Sequence, residues 1–163
     1  MGEQHGFDAA QLRAYFALME VSGLLTHRVE QQLRDESGIT YIQFQILARL
    51  ADQPTGRLRM TDLADGVVHS RSGLTYQVGL LERAGLVRRE PTPQDERSVT
   101  VHLTDEGRDL VGRVMPGHVA VVRASLLDPL SPEDVAALDD VLGRVRDAMR
   151  CGPPPSARRR RTS

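Results

Sequence analysis

Apolar residues recur at intervals of three and four positions along the first segment of the chain, residues 8–36. The residues that share this spacing are Leu12, Tyr15, Phe16, Met19, Leu25, Val29 and Leu33. Such spacing places them on one face of an amphipathic helix. Gly38 then predicts a left-handed helix end, and Thr40 with Gln43 predicts a capping box that opens a second helix. The second helix should end at the turn-forming residues 52–56.

Two short helices joined by a tight turn follow in the pattern. Thr61 can cap a helix over residues 62–67, and Ser70 can cap another over residues 71–84. The apolar residues that face inward from the second of these helices are Leu74, Val78 and Leu81. Gly85 predicts the end of that helix. This arrangement predicts a helix-turn-helix, whose second helix enters the major groove in DNA-binding proteins.

A β-hairpin is predicted directly after the helix-turn-helix. Residues 86–90 and 98–103 contain several β-branched residues and predict two paired strands. Pro91 and Pro93 disfavour strand pairing, so we expect residues 91–97 to form the loop between them. A helix-turn-helix followed by a hairpin with an arginine near its tip indicates a winged helix-turn-helix, in which the hairpin is called the wing.

Two more helices are predicted after the wing. Thr104 can cap the first of them, and the pair Pro116 and Gly117 should kink or break it about three turns later. Ser131 followed by Pro132 predicts the start of the last helix, because serine is a good cap and proline suits the first helical position. The apolar residues at helical spacing in the last helix are Val135, Leu138, Leu142, Val145 and Met149.

The sequence around the wing tip carries a more specific pattern. Asp95-x-Arg97 is followed by Leu103-Thr104-x-x-Gly107, and both come after a helix with a glycine stop. This pattern resembles the wing of the MarR family of bacterial transcription regulators, and the order of elements resembles that family over nearly the whole chain. The resemblance implies a mainly α fold with a small β-wing. It would be a winged helix-turn-helix with N- and C-terminal dimerisation helices.

The implied organisation of the chain has four parts. Residues 1–36 form an N-terminal dimerisation helix, and residues 37–104 form the winged helix-turn-helix DNA-binding region. Residues 105–150 form the C-terminal dimerisation helices. Residues 151–163, rich in proline and arginine, form a disordered basic tail.

Residues that contact DNA are expected on the recognition helix and on the wing. The side chains of the helix that can bond to phosphates or base edges are Ser70, Arg71, Ser72, Thr75, Tyr76 and Gln77. Arg88 and Arg89 are predicted phosphate contacts from the wing. Arg97 is predicted to enter the minor groove, with Asp95 holding its guanidinium, as in the family. The alternative for the helix residues is an ordinary solvated helix face. The alternative for Asp95 and Arg97 is a surface salt bridge at a turn.

The first and last helices carry apolar stripes that a lone winged helix-turn-helix does not need. The resemblance implies that they interdigitate with those of a second subunit in a homodimer, while folding back within a monomer is the alternative. The family's ligand crevice lies between the dimer helices and the DNA-binding lobe. In this chain, the resemblance implies that the crevice is lined by Tyr15, Met19, His27 and Phe44 and binds a small aromatic or phenolic effector. The same residues would serve equally well as core.

Charge is distributed unevenly along the chain. The formal net charge is −1, and the chain contains no lysine. Five of its 21 arginines lie at position 150 and at positions 158–161, which leaves 16 arginines against 22 carboxylates elsewhere. DNA binding must therefore rest on local basic points and not on a general positive field. The acidic body slightly favours a second hypothesis, a winged-helix protein-interaction module that does not bind DNA.

The sequence contains no pattern that indicates an enzyme. The five histidines lack metal-ligand spacing, and neither a phosphate loop nor a nucleophile elbow occurs, so no metal and no other cofactor is expected. The N-terminus does not resemble a signal peptide, and we expect no apolar run long enough to cross a bilayer. A single cysteine, Cys151, fits a reducing compartment. We therefore expect a cytoplasmic, nucleoid-associated protein whose partner is double-stranded DNA.

Overall fold

A computed structural model describes residues 6–67, 71–92 and 95–151, without the side chains of residues 66, 71, 92, 95–97 and 151. The chain divides into two compact units, the first ending at Val122 and the second beginning at Arg123. The elements of the first unit are α1 (Ala9–Ser37), α2 (Tyr41–Ala51), β1 (Arg57–Arg59), α3 (Met60–Gly66), α4 (Arg71–Arg83), β2 (Val87–Thr92), β3 (Asp95–Leu103) and α5 (Asp105–Val122). The elements of the second unit are a π-helical turn (Arg123–Leu127) and α6 (Pro132–Cys151).

The helix ends predicted at Gly38 and Thr40 are confirmed. Gly38 ends α1 in the left-handed conformation, with φ of 71°. Thr40 Oγ1 accepts a hydrogen bond from the Gln43 backbone N–H at 3.4 Å, and Gln43 Oε1 accepts one from the Thr40 backbone N–H at 3.0 Å. Asp8 forms an equivalent capping box at the start of α1. These ends depend only on neighbouring residues, which is why the sequence reveals them.

The start of α3 differs from the prediction. The helix begins at Met60, with Arg59 in the capping position and no hydrogen bond from its side chain. The predicted cap at Thr61 is therefore wrong, and the Thr61 hydroxyl donates to the Asp62 carboxylate instead. The physical reason is that β1 runs directly into α3, so that the residue before the helix is already held in the sheet.

The end of α4 agrees with the prediction. Gly85 has φ of 74°. Its N–H donates to the Glu82 carbonyl, and the Leu86 N–H donates to the Leu81 carbonyl, at 3.0 Å each. This pair of bonds satisfies the last carbonyls of the helix and turns the chain into β2. The cap predicted for the other end of α4, Ser70, lies outside the described residues.

Within the part of the chain that the structure describes, the sheet contains three antiparallel strands in the order β1-β3-β2, and not the predicted two. The additional strand, β1, is a short Arg-Leu-Arg segment. Its three residues pair with His102, Val101 and Thr100 of β3. Because its stability comes from these distant partners and not from β-forming residues of its own, the local pattern does not reveal it.

The strands of the wing extend further than predicted. Pro91 pairs with Val99, and Thr92 pairs with Asp95, with a register irregularity between the first pair and the second. The prediction of a loop over residues 91–97 is therefore wrong over most of that range. Residues 93 and 94 lie outside the described part. Pro91 is tolerated because β2 is an edge strand, where a missing N–H leaves no buried acceptor unpaired.

The core of the first unit is apolar and receives side chains from all five of its helices and from its sheet. The buried residues are Val29, Leu33, Phe44, Ile46, Leu47, Leu50, Leu63, Val67, Leu74, Val78, Leu81, Val87, Val101, Leu110, Val111 and Val114. The last three belong to α5. This helix is thus part of the winged-helix core, and the boundary between the two compact units lies after residue 122. The predicted division into a DNA-binding region and dimerisation helices at residue 104 stays a prediction.

Thr104 fastens the start of α5 to the end of α4. Its Oγ1 accepts a hydrogen bond from the Gly107 N–H at 3.0 Å, which confirms the predicted cap, and donates one to the Gly85 carbonyl at 2.8 Å. A Cβ atom at position 107 would overlap the Leu86 carbonyl oxygen and would lie 2.8 Å from Leu103 Cδ1. The close approach of two backbone segments therefore requires glycine at position 107.

Replacing Gly107 by alanine should lower the free energy of unfolding by about 1–3 kcal/mol, because the added methyl group must displace backbone and not a flexible side chain. Gly112 is a matched control in the same helix, since nothing lies within 4 Å of its Cβ position. Gly112→Ala should be neutral or slightly stabilising. Urea unfolding of both variants measures the difference, and equal midpoints would contradict this account of Gly107.

The helix α5 continues through Pro116, so the predicted break is wrong. Proline removes the hydrogen bond to the Gly112 carbonyl, but both residues are exposed and water can reach that oxygen. By length and composition alone, the helical segment Asp105–Leu127 could cross a membrane, contrary to expectation, since an 18-residue window within it has a mean hydropathy of 1.2. Leu110, Val111 and Val114 of this segment lie in the protein core, and 17% of the apolar window is buried.

The second unit begins its long helix as predicted. Ser131 Oγ accepts a hydrogen bond from the Asp134 N–H at 3.2 Å, and the Ser131 N–H donates to Asp134 Oδ2 at 3.1 Å. Pro132 occupies the first helical position. The large apolar side chains of α6 that lie exposed are Val135, Val141, Leu142, Val145 and Met149.

Candidate nucleic-acid interface

The helix α4 has a buried face and an exposed face. Its buried residues are Leu74, Val78 and Leu81, which confirms the predicted inward face. Ser72 and Thr75 lie on the exposed side, and Tyr76 is 61% exposed. Hydroxyl groups in this position suit contacts to phosphates and base edges. Of the two remaining predicted contacts at the helix start, Ser70 lies outside the described residues, and only the backbone of Arg71 is described.

Gln77 is half-buried and contacts a neighbouring helix. Its Oε1 accepts a hydrogen bond from Gln43 Nε2 at 3.2 Å. Gln43 is also the capping-box residue of α2, so this one bond joins the start of α2 to the middle of α4. A contact between Gln77 and a base stays a prediction.

One face of the wing carries Arg88, Glu90 and His102. Arg88 forms an ion pair with Glu90, and Glu90 Oε2 lies 3.2 Å from His102 Nε2. The Arg88 side chain is 60% exposed. An arginine that is this exposed can exchange its surface ion pair for a phosphate, because such a pair contributes little free energy.

Arg89 is held differently from its neighbour. Its backbone N–H donates to Glu82 Oε1 at 2.9 Å, and its Nε–H donates to Glu82 Oε2 at 2.8 Å. The hydrogen bonds from Arg89 lower the pKa of Glu82 below its ordinary value. Glu82 therefore stays ionised at neutral pH, and the predicted phosphate contact of Arg89 competes with a carboxylate of the same protein.

The two wing-tip residues predicted to act together, Asp95 and Arg97, both lie in β3. Asp95 pairs with Thr92 of β2. Arg97 follows two positions later, between that pair and the pair Pro91 with Val99, where the register is irregular. Their side chains lie outside the described part, so the Asp-x-Arg contact stays a prediction.

The residues proposed for an effector lie in different surroundings. Tyr15, Met19 and His27 are exposed on α1. The Tyr15 ring stacks on Phe7, with ring centroids 6.0 Å apart. Phe44, by contrast, is 3% exposed within the core. The single chain therefore does not present these four side chains as one open pocket, and their assignment to a ligand stays a prediction.

His118 lies where α1, α2 and α5 meet, and no sequence pattern indicated a site there. The His118 ring lies 4.6 Å from the Phe44 ring, between centroids. Gln32, 9% exposed, donates from Nε2 to the Val114 carbonyl at 3.2 Å. Within the described residues, Gln32 Oε1 and His118 Nδ1 are buried without a hydrogen-bond partner. No spacing rule reveals this site, because its residues come from three separate helices.

Burial lowers the pKa of His118 below its ordinary value of 6.5. The unfolded chain thus binds a proton near that pH that the folded chain does not, so stability should fall as the pH drops below about 6.5. We expect urea midpoints of the wild type to fall between pH 7.5 and 5.5, and those of His118→Phe to fall less. His27→Gln is the control for the loss of an exposed histidine. Equal falls in all three proteins would contradict this role of His118.

The chain is similar to known proteins over most of its length. The family model described as the MarR family matches residues 37–98. The transcriptional regulator PecS of Dickeya dadantii is 33% identical over 144 residues, which cover 88% of this chain and 86% of PecS.

Two solved structures from Streptomyces coelicolor are similar in both sequence and fold. Sco3205, a MarR family transcriptional regulator crystallised in complex with DNA, has a TM-score of 0.85 and 34% identity, and the match covers 91% of this chain and 92% of that one. AbsC, another MarR family transcriptional regulator, has a TM-score of 0.86 and 35% identity, with 91% and 100% covered.

Proposed function

This chain belongs to the MarR family of transcription regulators, and we propose that it represses transcription as a homodimer on a pseudo-palindromic promoter site. It is a DNA-binding regulator whose recognition helix is α4. The observation that carries the proposal is the direct attachment of α4, with its exposed hydroxyl groups, to an arginine-bearing wing. In this proposal the protein acts in the cytoplasm, on the nucleoid, and catalyses no reaction.

The homodimer is supported by apolar side chains exposed on α1 and α6. Those of α1 are Leu12, Tyr15, Phe16, Leu18, Met19, Val21 and Leu24. Those of α6 include Leu142, 38% exposed, and Met149, 78% exposed. Adjacent apolar side chains on a surface mark interaction sites, and a two-fold DNA site matches a two-fold protein. A second copy of this chain is therefore the proposed partner of both helices.

Each subunit reads one half-site in this proposal. The helix α4 occupies the major groove, where every base pair presents a distinct pattern of donors and acceptors. Arg97 enters the neighbouring minor groove, where negative potential is concentrated. Two recognition helices related by a two-fold axis place the half-site centres about 10 bp apart. A dimer bound across such a promoter site prevents polymerase from binding, and repression follows.

Affinity for the DNA backbone comes from local arginines, since the rest of the protein is acidic. Arg88 is the described wing arginine that is most available, because its partner Glu90 is itself 45% exposed. The arginines at positions 158–161 add four further charges at the end of the chain. Each phosphate that such a charge neutralises adds about 0.9 to the salt dependence of binding. We therefore expect operator affinity to fall steeply with salt despite the net negative charge.

A small aromatic or phenolic effector is the proposed signal that releases the DNA. The support is two buried atoms that have no hydrogen-bond partner within the described residues, Gln32 Oε1 and His118 Nδ1, and the contact of the His118 ring with the Phe44 ring. A ligand hydroxyl or carboxylate can hydrogen-bond to such atoms, and its ring can replace apolar contacts around Phe44. Any resulting shift of α2 reaches α4 through the bond between Gln43 and Gln77. Coupling of this kind is typically worth about 1–3 kcal/mol.

Footprinting on the DNA upstream of the protein's own gene tests the proposed function. We expect a protected pseudo-palindrome with half-sites about 10 bp apart, and retention of this DNA over random DNA near physiological salt. Transcription reconstituted on the same promoter should decrease when the protein is added. Equal binding to operator and random DNA would instead support a winged-helix module whose partner is a protein.

A further inference from the structure

We propose that Glu82 and Arg89 form a brace that sets the angle between the recognition helix and the wing. Arg89 then acts on DNA by positioning the wing and not by touching a phosphate. The proposal rests on DNA binding by the chain and assigns a positioning role to two residues beyond it.

The contact joins two elements and not two neighbours in one element. Glu82 lies in the last turn of α4, and Arg89 lies in β2. Both carboxylate oxygens are engaged, one by the Arg89 backbone N–H at 2.9 Å and the other by Nε at 2.8 Å and Nη2 at 2.5 Å. Contacts from both backbone and side chain restrict position as well as charge, so the pair resists rotation of β2 relative to α4.

Strand alternation places Arg89 on the inner face of the wing. Successive side chains of a strand point to opposite faces, so Arg89 shares a face with Val87, and its pairing partner is Val101. Both valines are buried, with 2% and 0% exposed. Arg88 lies on the opposite face with Glu90 and His102. Arg89, next to the core, therefore contacts α4. Arg88, on the outer face, remains available to contact a DNA phosphate.

Two open spaces border Arg89 on the wing. An open crevice of about 250 Å³ lies between α3, α4 and the wing, and Thr75, Arg89 and Val99 are among its lining residues. A second open crevice of about 320 Å³ is lined in part by Glu82, Arg89 and Pro91. Within the described residues, the ion pair is thus a specific polar contact between β2 and α4 beside these open spaces.

The brace should affect binding far more than folding. The two side chains are 37% and 33% exposed, and exposed ion pairs contribute little to stability. DNA binding is more sensitive, since a helix and a wing must reach two grooves of one duplex at the same time. A small change of angle therefore costs contacts in one of the grooves while the protein stays folded.

The sign of the Glu82→Gln effect separates a brace from a phosphate contact. Removing a carboxylate near DNA reduces repulsion and frees Arg89, so a phosphate contact would be strengthened. If the pair is a brace, Glu82→Gln should instead weaken operator binding about tenfold, although it makes the protein less acidic. Arg89→Gln should weaken it equally, and the double variant should be no worse than either single variant.

Operator DNA and random DNA should be titrated in parallel at several salt concentrations, with circular dichroism to establish folding. We expect operator affinity to fall in the Glu82 and Arg89 variants, with affinity for random DNA and the salt slope nearly unchanged. Arg88→Gln and Glu90→Gln are matched controls from the outer face of the same strand. Arg88→Gln should weaken both DNAs and lower the salt slope by about 0.9, and Glu90→Gln should weaken neither.

The charge-reversed protein, with Glu82→Arg and Arg89→Glu together, provides a second test that does not depend on the single variants. It restores the ion pair between the two elements, and it should recover operator binding relative to Glu82→Arg alone. Wild-type or tighter operator binding by Glu82→Gln would overturn the brace. An equal loss on operator and random DNA with a lower salt slope in Arg89→Gln would show that Arg89 contacts a phosphate.

Discussion

Replacing Arg97 by alanine should remove most of the operator affinity and leave the protein folded. The residue lies in β3 at the irregular part of the wing, beyond the last regular pair with β2. A guanidinium on a narrow hairpin fits the minor groove, which is narrow and strongly negative in A·T-rich DNA. We expect a loss of about 1–3 kcal/mol in each subunit, and the largest loss at operators with A·T-rich flanks.

Fluorescence anisotropy with operators that differ only in their flanks measures this effect. Asp95→Ala should show the same trend more weakly, because Arg97 keeps its charge but loses its predicted partner. Arg13→Ala, at an exposed position on α1, is a control for the loss of one positive charge. A folded Arg97→Ala protein with wild-type affinity near physiological salt would show that the wing does not contact DNA.

Placing aspartates at Leu12 and Phe16 should separate the dimer and abolish operator binding with it. These side chains are 41% and 58% exposed on α1, where the proposed partner subunit would bury them. A charge buried in an apolar interface carries a large desolvation cost. A monomer loses the second half-site contact, so affinity should fall by about 10²- to 10⁴-fold.

Light scattering and operator titration of the same samples at micromolar concentration test this expectation. Gln31→Asp is the control, since Gln31 lies on the exposed side of α1, away from the buried residues Val29 and Leu33. It should remain dimeric and bind the operator. If the wild type is a monomer, or if the variant carrying both aspartates is still a dimer, the prediction that α1 forms the dimer interface is wrong.

Helix ends were predictable wherever a few neighbouring residues satisfy the backbone. The capping box of Thr40 and Gln43 and the left-handed glycines Gly38 and Gly85 all lie as the sequence indicates. The predicted cap at Thr61 was wrong because β1 leads directly into α3, which begins at Met60 with Arg59 in the capping position. A local rule thus holds until a distant strand competes for the same backbone.

Pairing between strands was less predictable. The β-forming residues of the wing were visible, but β1 and the outer part of the hairpin depend on which strand lies at the edge. Proline is usually classed as a strand breaker, but Pro91 is paired with Val99. The proline rule depends on whether its missing N–H would face a neighbouring strand, and only the strand order answers that question.

The family, the order of the helices and the wing, and the inward face of α4 could all be predicted from residue order, because periodicity and caps are properties of neighbouring residues. The partners of the polar side chains depend instead on how the elements pack in three dimensions. Glu82 holds Arg89, Gln43 holds Gln77, and His118 lies against Phe44. Each pair joins separate elements of the chain. Such contacts depend on how elements pack, and no spacing within one element encodes them.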